Sequence, residues 1–360
     1  MAATPANTAN TLALKNCPTS LTRPTSPTRP TGPTAPPHKI MPTELLSLLI
    51  ILLVVCLLLV VLDLAVAGLL AWLLHLTFRR CFLWGLLSLL VPVLLLAYGI
   101  LIERNTYRIK QVEVTFPTLP AAFDGYQIVQ LSDIHSRSFL HRKRSLQRCV
   151  DKVNALQPDL IAFTGDIVTL QSSELTHLTP ILSQLSARDG VLAVIGNHDY
   201  CTYGHETNGL KHVVELEQGM GWQVLLNSHT LLRRGDDSVA VAGVENISTS
   251  HHFPSTGKLD TAIYGTQGLF VILLSHDPTH WDLDVIGRDI PLTLSGHTHA
   301  AQTSLLGWTP ARYWYKQYRG LYQKNWQYLY INQGLGETIF PARIGAPPEI
   351  TLITLRKGHQ

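Results

Sequence analysis

The sequence predicts an α/β fold: a sandwich of two mixed sheets with flanking helices, preceded by two transmembrane helices. Three observations carry this. Five short apolar runs, rich in β-branched residues, recur across the last two-thirds of the chain, and each ends at a block of Asp, Asn or His. Polar, helix-patterned segments alternate with these runs. The front third holds two long apolar stretches.

Residues 1–42 come first and are rich in Thr and Pro, as between Arg23 and Pro30. Such a composition cannot bury a core, so a disordered tail is expected, either native or an upstream extension ahead of Met41. Residues 43–104 are the membrane segment. From Leu45 to Phe78 the chain is almost wholly apolar, broken by Asp63 and His75; after Arg79 and Arg80 a second apolar stretch runs from Cys81 to Ile102. One span needs about 20 apolar residues. Helices are therefore expected near 44–66, with room to extend to 76, and over 81–102. A multi-pass protein of an inner or plasma membrane is therefore expected. Lys39, Arg79 and Arg80 flank the spans, while Arg104, Arg108 and Lys110 follow them and tilt the remaining domain toward the cytoplasmic face.

Residues 111–356 are long enough for one domain with a large core. Its strand-like runs are 126–131, 160–163, 191–195, 269–274 and 291–294. The blocks that follow them contain Asp133 and His135; Asp166; Asn197, His198 and Asp199; His276; and His297 and His299. Loops at the C-terminal ends of strands are where α/β folds carry chemistry. Mixed carboxylate, amide and imidazole donors suit borderline and hard divalent ions rather than calcium cages or thiolate sites. Asp166 stands alone in its block, as a carboxylate shared between two ions would. Two adjacent ions can activate a water and clamp a phosphoryl group. Helices are expected over 145–156, 172–187 and 206–218, with further strands at 239–244 and 351–355. The basic cluster 141–144 reads as the solvated first turn of the first of these helices.

The ordered blocks D-x-H, G-D, G-N-H-D, H and G-H-x-H resemble those of calcineurin-like metallophosphoesterases over roughly residues 125–355. The resemblance implies a dinuclear site. Asp133, His135, Asp166 and His299 would hold one ion; Asp166, Asn197, His276 and His297 would hold the other. Manganese is the first expectation, with iron or zinc as alternatives. His198 would then be the catalytic residue, facing the phosphate as stabiliser or proton donor, with Asp199 either orienting it or shaping the loop. The sequence after Gly165-Asp166 lacks the Asp and Arg of protein Ser/Thr phosphatases, and His198 stands where soluble UDP-diacylglucosamine hydrolases carry Arg. The tail around Asn332–Gly336 and Pro341–Ile350 resembles a membrane-associated branch that includes cell-envelope phosphodiesterases and UDP-2,3-diacylglucosamine pyrophosphatases. Arg343 in that tail is a candidate substrate contact, with a surface role as the alternative.

The resulting expectation is a membrane-anchored phosphohydrolase acting on a lipid-linked phosphodiester or pyrophosphate. A soluble substrate such as a cyclic nucleotide, or a non-catalytic protein with structural metals, are the alternatives. A formal net charge of +3 says little about partners; no basic-aromatic patch suggests nucleic acid, and no obligate protein partner is evident. The five cysteines show no disulfide or zinc spacing. The remaining histidines, among them His229 and His280, are expected in surface or loop positions.

Overall fold

The computed structural model describes residues 42–358. The expected tail lies outside them. Helix α1 (Pro42–Leu74) is 33 residues long. The second apolar stretch is broken into α2 (Phe78–Gly85) and α3 (Leu90–Leu101) by a 3₁₀ turn at Leu86–Leu89. Pro92 explains the break: it has no N–H for the Ser88 carbonyl one turn earlier. Most apolar side chains of these helices face outward, with Trp72 and Trp84 each 74 % exposed. Such surface is stable only against lipid or another apolar partner. Asp63, the acid within α1, accepts a hydrogen bond from Ser88 Oγ at 2.8 Å, so it ties the two apolar segments together.

The rest of the chain forms the sandwich. In order, its elements are β1 (Arg108–Phe116), β2 (Gln127–Leu131), α4 (Lys143–Ala155), β3 (Leu160–Thr164), α5 (Ser173–Thr176), α6 (Thr179–Leu182), β4 (Val191–Val194), α7 (Gly209–Gly219), β5 (Gln223–Val224), β6 (Ser228–Arg234), β7 (Asp237–Gly243), α8 (Leu259–Ala262), β8 (Phe270–Leu274), β9 (Leu292–Ser295), β10 (Gly320–Lys324), β11 (Gln327–Ile331) and β12 (Glu349–Lys357). One sheet runs β1-β12-β2-β3-β4-β5 and the other β10-β11-β9-β8-β7-β6. Both are mixed. β2, β3, β4 and β5 are parallel to one another, as are β7, β8, β9 and β11.

Side-chain alternation builds three layers of core. Along β3, Leu160 and Ala162 face the other sheet, where they meet Ile272, Leu292 and Tyr330. Ile161 and Phe163 point the other way, toward Leu146 and Val150 of α4. Trp281 and Leu259 cover the far face of the second sheet. Strands buried on both faces must be apolar at every position, which is why their sequences are continuous apolar runs.

Two expected helices change form. The segment expected as one helix over 172–187 is two single turns, α5 and α6. Pro180 sits in the first turn of α6 and disfavours helical continuation from the residue before it. Helix α7 starts at Gly209 rather than at residue 206, because Asn208 adopts a left-handed φ of 63°. Of the basic cluster, Lys143 and Arg144 open α4 and are exposed, but Arg142 is drawn inward to Glu337 at 2.7 Å.

The apolar segment is fastened to the sandwich. The Glu103 carboxylate accepts from the Gly345 N–H at 2.8 Å, and Arg104 donates to the Pro341 carbonyl at 2.7 Å. Gly99 lies against the strap formed by residues 341–345; a Cβ there would fall 2.7 Å from the Arg343 carbonyl oxygen.

Candidate metal centre

The loops leaving β2, β3, β4, β8 and β9 converge on one edge of the sandwich, because these strands run parallel within their own sheets. Asp133, His135, Asp166, His297 and His299 all adopt left-handed backbone, with φ between 44° and 74°. Non-glycine residues seldom do so, and runs of such strain gather at functional sites. Two glycines make the close approach possible. A Cβ on Gly196 would lie 2.2 Å from Asp166 Oδ1, and one on Gly296 would lie 1.9 Å from Ser132 Oγ. These are the leading glycines of the G-N-H-D and G-H-x-H blocks.

Two buried groups of donors result. Asp133, His135 and His299 form the first; Asp166, His276 and His297 form the second. In the first, His135 Nε2 lies 3.0 Å from His299 Nε2, and His299 Nε2 lies 3.3 Å from Asp133 Oδ1. In the second, His276 Nε2 lies 3.2 Å from both Asp166 Oδ2 and His297 Nδ1. The same Asp166 Oδ2 is 3.7 Å from His135 Nε2, so one carboxylate faces both groups. Asn197 is buried, yet neither its amide oxygen nor its nitrogen has a hydrogen-bond partner. An unpaired buried amide costs about 1–3 kcal/mol, and a coordinated cation would remove that cost. Oxygen and imidazole donors facing one another at these separations fit a pair of divalent ions.

The surrounding groups aim these donors. His276 Nδ1 lies 2.7 Å from the Thr164 carbonyl, which turns Nε2 inward. His297 is turned the opposite way, its Nε2 lying 3.0 Å from Tyr315 Oη. Asp199 is wholly buried and accepts N–H bonds from Gly196, Asp166, Ile167 and Val168 at 2.8–3.2 Å. It therefore shapes the loops after β3 and β4 rather than orienting His198. His198 is instead oriented by the Thr169 carbonyl, 2.7 Å from its Nδ1. Its ring meets that of His135 edge-on at 4.9 Å, which sets it beside the two groups.

The electrostatics follow from burial and from Asp166. Burial opposes the His276 cation, but Asp166 outweighs it and raises His276 to about 10. Burial likewise opposes ionisation of Asp166, yet His276 and His198 hold that carboxyl well below the usual range. His135 and His299 are driven well below their ordinary value, first by burial. Asp166 thus stays ionised while His135 and His299 stay neutral, the forms that bind metal, whereas His276 holds a proton that a bound cation would displace.

Arg343 is the largest wholly buried side chain, neither on the surface nor open to the cleft. Its guanidinium donates to the carbonyls of Gly336, Gln333 and Ala346, and Nη2 lies 3.4 Å from His299 Nδ1. His280, expected at the surface, is buried with Nδ1 at 2.8 Å from Ser275 Oγ. His141, His177, His205, His212, His251 and His252 are exposed. Tyr315 had no signal in the sequence: it lies in an irregular segment 18 residues from its partner His297.

Residues 126–301 match the family model of calcineurin-like phosphoesterases. An uncharacterized metallophosphoesterase, YkuE of Bacillus subtilis, is 33 % identical over 78 % of this chain and 98 % of its own length. A Danio rerio transmembrane protein with a metallophosphoesterase domain is 33 % identical over 76 % of this chain; the match spans 62 % of that protein. The UDP-2,3-diacylglucosamine pyrophosphatase LpxG of Chlamydia trachomatis is 26 % identical over 74 % of this chain and 94 % of its own length. The apolar helices and the transmembrane relative both point to membrane association.

Proposed function

Because this chain belongs to the calcineurin-like phosphoesterase family, we propose that it is a membrane-anchored, two-metal phosphohydrolase that cleaves a phosphodiester or pyrophosphate in a lipid-linked substrate. UDP-2,3-diacylglucosamine is the first candidate, by similarity to LpxG. The observation that carries the lipid reading is the fastening of the site to the apolar helices. The strap 341–345 bonds to Glu103 and Arg104 at one end of α3 and carries Arg343, which reaches the His299 ring.

The residues divide the work. Asp133, His135, Asp166 and His299 would hold one ion, and Asp166, Asn197, His276 and His297 the other. Manganese is the expected metal, with iron or zinc as alternatives. Such a pair supplies Lewis-acid charge and lowers the pKa of water at the phosphorus. His198, held through Nδ1 by Thr169, presents Nε2 to the phosphoryl oxygens or to the leaving group. Both apolar helices cross the membrane in this reading, and the basic residues Arg104, Arg108 and Lys110 favour a cytoplasmic site.

The test is hydrolysis of UDP-2,3-diacylglucosamine by the detergent-purified full chain with manganese, with Asp166→Asn as the blank. Release of UMP that depends on Asp166 is expected. Cleavage of bis(p-nitrophenyl) phosphate without UMP release would keep the phosphohydrolase and remove this substrate.

A further inference from the structure

An apolar groove of about 220 Å³ lies where the two apolar segments meet the sandwich. Leu52 and Val55 of α1 and Leu95 of α3 line its outer part; Phe340 and Ile344 line its inner part. We propose that this groove seats one acyl chain of the lipid substrate while the phosphate of the same molecule is held at the metal centre. The inference rests on the lipid reading above and adds the place where the lipid is gripped.

Three features select an acyl chain. First, the outer wall belongs to helices apolar enough to cross a membrane, so a chain enters from the bilayer without passing through water. Second, the inner wall is one short step from the metal ligands. Thr303, also on the wall, follows His299 by four residues and pairs with Ile344 in a β-bridge. Between them, His299, Ala300, Ala301 and Gln302 form a left-handed turn with φ of 49–54°. Gln302 pins that turn to the strap, donating to the carbonyls of Phe340 and Ala342 and accepting from the Thr338 N–H. One hydrogen-bonded turn therefore joins the wall to the ligand. Third, Leu305 lines the groove, and Leu306 and Trp308 next to it are exposed. Exposed Trp and Leu beside a groove-lining residue suit the interface of a bilayer.

The experiment uses the full chain in phosphatidylcholine nanodiscs with manganese. The probe is a long-chain alkyl phosphonate carrying a diazirine in its tail. After irradiation, mass spectrometry should find label on Leu52, Leu95 or Ile344, and EDTA should reduce that label about tenfold. Chelation releases the headgroup, whereas bulk lipid is indifferent to it. Two substitutions that fill the groove, Leu95→Trp and Val55→Trp, should each lower the EDTA-sensitive label to a similar extent. Leu94→Trp, on an exposed face of α3, should not. Groove label that ignores EDTA, or that survives both filling substitutions, would overturn the proposal by identifying the occupant as bilayer lipid. UMP release without EDTA-sensitive groove label would defeat the groove alone. EDTA-sensitive groove label without UMP release would support the groove and defeat that nucleotide lipid as the substrate.

Discussion

His198 and Asp199 are neighbours with separate tasks. His198 contributes no donor to either metal group, so His198→Ala should leave two ions bound per chain while turnover falls about 10²–10³-fold. Metal analysis together with phosphodiester hydrolysis checks this, and an unchanged rate would remove the role. Asp199→Asn attacks the frame instead. The amide replaces one acceptor oxygen with a donor, in a place surrounded by four N–H groups. A loss of about 1–3 kcal/mol in stability and a 10–100-fold weaker metal affinity are expected, read by denaturant melts and metal titration. The sequence marked both residues, but not which of them shapes the loop. That depends on four backbone N–H groups from two loops, and no residue type encodes their convergence.

Among the elements, the apolar inner strands were legible and the polar outer ones were not. β2, β3, β4, β8 and β9 are buried on both faces, and their runs stand out in the sequence. β1, β5, β6 and β10 are sheet edges, and carry charge or are too short to show a pattern. β11 lies inside its sheet, but its sequence Gln-Tyr-Leu-Tyr-Ile does not end at a ligand block. The strap is an element that only contacts reveal. Arg142 and Glu337, 2.7 Å apart and mostly buried, join the start of α4 to the segment that leads into it. Glu337→Gln should destabilise the protein by about 3 kcal/mol, since a buried guanidinium would lose its counter-charge. A thermal melt in detergent measures the effect; a shift close to zero would mean that the pair does not hold the strap.

For the whole molecule, metal and membrane are the two external supports. Ions that bind only the folded state stabilise it by mass action, about 4 kcal/mol for a site at a thousandfold excess over its Kd. EDTA should therefore lower the melting temperature of the wild type and leave Asp166→Asn, already short of its shared ligand, far less affected. The apolar helices predict that the chain stays in the pellet after alkaline carbonate washing of membranes. Recovery in the supernatant would mean that it is only peripherally attached.

The class of fold, the blocks of candidate metal donors and the apolar front segment are all readable in the sequence alone. Each of these is written in local patterns: continuous apolar runs, blocks of donors at their ends, and stretches long enough to span a bilayer. The tertiary structure decided how those pieces meet. It buried Arg343 beneath His299, set Tyr315 behind His297, drew Arg142 to Glu337 and pressed Gly99 of α3 against the strap. These contacts join residues far apart in the chain. They arise from packing and from the need to satisfy buried polar groups, so no window of sequence contains them.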